Sequence, residues 1–85
     1  MIVIEDGKAF KVPDSMIEQY REDFEGMKAD RDRETIVFFR NSVILILAMI
    51  KKDKAVLEDQ DFLSDAIRAL AVREALKQTN LLYDA

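Results

Sequence analysis

Cysteine and histidine are both absent from this 85-residue chain, and the two absences exclude most familiar site chemistry. Without thiols there is no disulfide framework and no thiolate ligation, and nothing points to an oxidising compartment. Without imidazole the chain lacks the commonest general base, the usual nitrogen ligand and the side chain that changes charge near neutral pH. Ordinary zinc sites are therefore ruled out. Glycine occurs only at positions 7 and 26. Neither lies in a glycine-rich strand-to-helix turn, so phosphate-loop and dinucleotide motifs are ruled out as well. A nucleophilic Ser15, Ser42 or Ser64 would need a lysine or carboxylate base, and no spacing supplies one. Glu58, Asp59, Asp61 and Asp65 are a group of hard oxygen donors, but they lack the turn glycine and twelve-residue register of a calcium loop. Their expected role is that of acids favoured at a helix start. No catalytic residue, cofactor or metal is expected, and the chain reads as a non-enzyme.

A basic stripe is also missing. Thirteen basic residues face seventeen acidic ones for a net charge of −4, and the excess lies early: ten acids against six bases through Glu34, then seven of each. That balance favours solubility and argues against the electrostatic footprint of a nucleic-acid binder. A helix-turn-helix reader would have to use Arg68, Arg73 and Lys77, without a turn glycine and behind a row of acids. A dimeric regulator reading DNA through strands would offer only Lys8 and Lys11. Nucleic acid is therefore not an expected partner, although a dimeric DNA-binding regulator stands as a second alternative. The opening MIVIEDGKAF has neither basic leader nor apolar signal segment, which makes cytoplasm the expected compartment. The one long apolar stretch, Ile36 to Ile50, is shorter than the roughly 20 residues a membrane span needs, and it contains Arg40, Asn41 and Ser42.

What is present is an alternation of local signals. IVI and AFKV flank Glu5-Asp6-Gly7-Lys8, and Asp-Gly is a preferred pair for a type I′ turn, so residues 1–12 read as a β-hairpin. Its pairing sets Glu5 against Lys8 and Val3 against Phe10. Met1, Val3, Phe10 and Val12 then share one face, with Ile2, Ile4 and Ala9 on the other. Pro13 closes it, with Asp14 or Ser15 expected to cap a helix over 14–28. Met16, Ile17, Tyr20, Phe24 and Met27 form the apolar stripe of that helix, Glu18, Glu22 and Glu25 its wet face, and Gly26 is expected near its stop. A second helix over 32–52 is capped by Asp30 or Asp32, opened by Glu34 and closed by Lys51, Lys52 and Lys54, in keeping with the helix dipole. Its β-branched content leaves two short strands, broken at Arg40-Asn41-Ser42, as the alternative. Residues 53–60 form a polar connection with Val56 and Leu57 turned inward. A third helix over 60–78 begins at Asp59 or Asp61, with Ala66, Ala69, Ala71 and Ala75 allowing close approach. Leu81, Leu82 and Tyr83 of the tail are expected to dock.

The fold class that follows is mainly α: one small domain with an N-terminal hairpin, then three helices, with a very apolar central helix buried in an oligomer. From Val43 to Ile50 every azimuth of that helix is apolar, and a helix apolar all round has to be surrounded. The expected function is a protein–protein interaction module that forms a homodimer or higher oligomer, with Ile36, Phe39, Arg40, Val43, Ile46, Leu47 and Ile50 at the interface. Arg40 is expected to run its stem over the core and its head into water; the alternative is a buried polar layer with Asn41 that fixes register across the interface. The alternative is a small inhibitor, antitoxin-like regulator or assembly chaperone for a specific protein target. Glu18, Glu22 and Glu25 are the expected contact for a basic partner.

Overall fold

The computed structural model describes residues 1–83; Asp84 and Ala85, the end of the tail, lie outside the described residues. The elements are β1 (Ile2–Glu5), β2 (Lys8–Lys11), α1 (Asp14–Ala29), α2 (Arg33–Lys52), a 3₁₀ turn (Lys54–Glu58) and α3 (Gln60–Gln78). The chain is thus mainly helical behind an N-terminal hairpin.

Asp6 and Gly7 carry φ of 50° and 80°, the two positive values that a type I′ turn requires. They set the antiparallel register Glu5↔Lys8 and Val3↔Phe10. The Met1 ammonium donates to the Val12 carbonyl at 2.9 Å and the Val12 amide to the Met1 carbonyl at 2.8 Å, which extends the ladder past both strand ends. Alternation buries Val3, Phe10 and Val12 and leaves Ile2 and Ile4 in solvent; Met1, on the inner set by parity, is also exposed.

Helix α1 starts on Pro13 without any side-chain cap. Neither Asp14 nor Ser15 caps it, because the cap position falls on Pro13 and Asp14 lies in the first turn, its carboxylate 3.1 Å from the Met1 ammonium. Gly26 lies three residues before the helix ends at Ala29. The stop is a Schellman motif: the Asp32 amide donates to the Met27 carbonyl at 2.8 Å and the Arg31 amide to the Lys28 carbonyl at 3.3 Å, with Arg31 left-handed at φ 59°. Helix α3 ends in the same way around Asn80 (φ 61°), where the Leu81 amide reaches the Leu76 carbonyl at 2.8 Å.

Helix α2 is one unbroken helix through Arg40, Asn41 and Ser42, so the two-strand alternative does not occur. The Asp32 carboxylate accepts from the Thr35 amide at 3.2 Å, Glu34 lies in the first turn and Lys51 and Lys52 in the last. Dipole-matched ends and a satisfied N-terminus outweigh the modest propensity cost of the β-branched residues. Asp59 caps α3 by accepting from the Asp61 and Phe62 amides.

The helix at the centre of the fold is α3 rather than α2. Ala66, Ala69, Leu70, Ala71, Val72, Ala75 and Leu76 are all buried, so α3 is enclosed on several sides. Its alanines let the backbones of its neighbours come close. One part of the core joins Val3, Phe10 and Val12 of the hairpin to Ile17, Ile50, Leu57, Leu70 and Ala71. The other gathers Phe24, Ile36, Val43, Val72 and Leu76, with the tail residues Leu81 and Leu82 packed against it. Tyr83 does not dock, with 82% of its surface exposed. Phe24 is wholly buried, with its ring edge-on to Phe39 at 5.3 Å and stacked with Tyr20 at 6.3 Å. Two ion pairs fasten the hairpin to the helical layer, Arg73 to Glu5 at 2.5 Å and Lys54 to Asp6 at 3.7 Å.

Candidate interaction surface

Helix α2 divides sharply at its surface. At about 100° per residue, Ile36, Phe39, Arg40, Val43, Ile46, Leu47 and Ile50 occupy an arc of roughly 120° on one side. Ile36, Val43 and Ile50 are buried, and Phe39, Ile46 and Leu47 are half-buried against the two parts of the core. These are the residues expected between chains, and this side of the helix packs on α1, α3 and the 3₁₀ turn of its own chain. The opposite side carries Val37, Phe38, Asn41, Ile44, Leu45, Ala48 and Met49, all exposed. Phe38 retains 65% of its surface, Ile44 66% and Leu45 64%. They span an arc of about 140°, wide enough to be the core-facing stripe of an ordinary amphipathic helix.

The pattern of this outer face is that of a coiled-coil seam. Glu34, Phe38, Asn41, Leu45, Ala48 and Lys52 follow one another at alternating spacings of four and three residues, which places them in a single line. Val37 and Ile44 flank one side of it, and Ser42 and Met49 the other. The centre is apolar apart from Asn41, and on the line itself the two ends carry opposite charges, Glu34 and Lys52, both exposed; Arg33 and Lys51 share an azimuth about 100° away from it. The Ser42 hydroxyl donates to the Phe38 carbonyl at 2.9 Å and is thereby occupied.

Two open grooves border this face. One, of about 410 Å³, runs beside Val37, Arg40, Ile44, Leu47, Arg73 and Leu82. The other, of about 120 Å³, lies beside Phe38, Ser42, Ile46, Asp65, Arg68 and Val72. Arg40 is half-buried and Asn41 exposed, and both line the first groove.

One sequence signal marks the outer face, namely the phase of the polar residues. Glu34, Asn41 and Lys52 fall within about 20° of one another on the wheel, and polar positions mark the side of a helix that the monomer leaves in water. The apolar run from Val43 to Ile50 hides that phase.

Elsewhere the chemistry is sparse. Glu18, Glu22 and Glu25 are exposed on α1. Glu18 is hydrogen-bonded to Arg21, and that bond, opposed by desolvation and helped to a lesser degree by the guanidinium charge, holds its carboxyl below the usual range. Arg21 is in turn stabilised as a cation, first by Glu18 and further by the charges of Glu22 and Glu25, so this face is only partly acidic in effect. Among the described residues no three carboxylates converge as a metal site, and no helix is long and apolar enough to cross a membrane. Compared with family models, with curated proteins and with solved structures, the chain matches none.

Proposed function

We propose that the chain is a non-enzymatic interaction module that binds a second copy of itself through the outer face of α2. The observation that carries this reading is the line of Phe38, Leu45 and Ala48, interrupted only by Asn41, with their neighbours Val37, Ile44 and Met49 on one exposed side of a 20-residue helix. Large exposed apolar patches mark interaction sites on soluble proteins. The face has an apolar middle and ends of opposite charge, so it is complementary to itself, as the shared patch of a two-fold dimer has to be.

Light scattering on the purified chain and on Leu45→Glu tests the reading. The parent is expected to be dimeric at micromolar concentration. The variant is expected to be monomeric with an unchanged helical circular dichroism spectrum, because Leu45 contributes little to the monomer core. A parent that stays monomeric at tens of micromolar overturns self-association.

A further inference from the structure

Resting on self-association through α2, we infer that the two copies pair antiparallel along the outer face of this helix, in one register, about a two-fold axis level with position 43. The inference comes from the order of side chains along the exposed line. In an antiparallel pair each seam residue faces the partner residue whose number completes the same sum. Glu34 and Lys52, Phe38 and Ala48, and Asn41 and Leu45 are all related in this way around position 43.

Charge and size agree on that arrangement. Each Glu34 meets the partner's Lys52, and the dyad repeats the contact, so both ends of the seam carry an attractive pair. Each Phe38, the largest exposed side chain of the line, lies over the partner's Ala48, the smallest. Interiors pack at crystal-like density only when large meets small across a contact. A parallel pair would instead set Glu34 against Glu34, Lys52 against Lys52 and Phe38 against Phe38, and would leave a void between two alanines. It would also align the two helix dipoles, which the antiparallel pair opposes favourably.

The register is constrained just as firmly. A slip of seven residues one way sets Leu45 against the partner's Glu34 and Phe38 against Asn41. A slip the other way sets Lys52 against Asn41 and leaves Phe38 beyond the partner helix, which ends at Lys52. In the centred register the two Asn41 residues are about one helical turn apart along the axis, on either side of the dyad. A single polar residue in an apolar seam is a known determinant of register.

The absence of cysteine makes the test clean. Glu34→Cys and Lys52→Cys chains are prepared singly, weighed by light scattering under reducing conditions, then oxidised alone and as an exchanged mixture and resolved on a non-reducing gel. The expected result is a dimer mass throughout and a covalent dimer only in the mixture. Covalent dimer within either single variant means a parallel pair and overturns the orientation. Dimer mass without covalent dimer in any sample overturns the register while leaving self-association intact. Monomer mass for the parent chain overturns self-association itself. Charge reversal supplies a second reading that does not depend on oxidation: Glu34→Lys or Lys52→Glu alone should weaken dimerisation about tenfold at low salt, through two lost attractions and two new repulsions. The double exchange should restore it. Equal affinity for all four chains overturns the paired ends.

Discussion

Phe24 shows how few side chains hold this small molecule together. Its ring is fully buried, contacts Tyr20 and Phe39, and lies where α1, α2 and α3 meet. Truncating such a residue removes its transfer energy and leaves a cavity, at a cost of about 3–5 kcal/mol. Domains of this size hold only about 5–10 kcal/mol in total. Phe24→Ala should therefore melt at least about 10 °C below the parent chain, which a thermal melt followed by circular dichroism will show. The Glu18–Arg21 contact makes a different residue-scale statement. The folded carboxyl titrates below its unfolded value, so its contribution to stability is present above the unfolded pKa and is lost as pH falls through the lowered folded one. In Arg21→Ala the Glu18 titration, followed by NMR, should move back up toward the ordinary glutamate value, since the guanidinium hydrogen bond is its main cause.

At the scale of elements, α1 holds its glycine in one place and its left-handed residue in another. Gly26 lies within the helix, and a Cβ added there would meet nothing within 4 Å. Arg31, five residues on, adopts the left-handed backbone that glycine takes without steric cost. Gly26→Ala and Arg31→Gly should each raise stability by about 0.5–1 kcal/mol. Chemical denaturation should show the midpoint rising with an unchanged slope. The hairpin register, the caps on α2 and α3 and the extent of each helix were all legible in the sequence, because each depends on a turn residue, a cap or a period within a few positions. One local expectation failed: neither Asp14 nor Ser15 caps α1, because the cap position falls on Pro13 and both residues lie inside the helix.

For the molecule as a whole the decisive matter is the division of labour between α2 and α3. The alanine-rich helix takes the middle because small side chains let α1, α2 and the 3₁₀ turn approach it closely. The most apolar helix is left at the edge with one side uncovered. If that side binds a second copy, folding and association are linked, and thermal stability must depend on concentration. A tenfold increase adds about 1.4 kcal/mol per mole of dimer, or about 3–5 °C in Tm for a folding unit of this combined size. Calorimetry over a hundredfold concentration range will register that rise, and a constant Tm would show that each chain folds alone.

Local chemistry in the sequence determined the elements: Asp6-Gly7 made the turn, Asp32 and Asp59 opened helices, and a run too short and too polar to span lipid became a helix with acid and lysine at its ends. The direction in which that helix faces was decided by the tertiary structure. From Val43 to Ile50 the apolar pattern has no phase, so any of its sides could have been buried. Packing of Ile36 and Val43 with Ala69, Val72 and Phe24, and of Ile50 with Leu57, Leu70 and Ala71, selected the side that was buried. The surface proposed to join two chains is what that selection left outside.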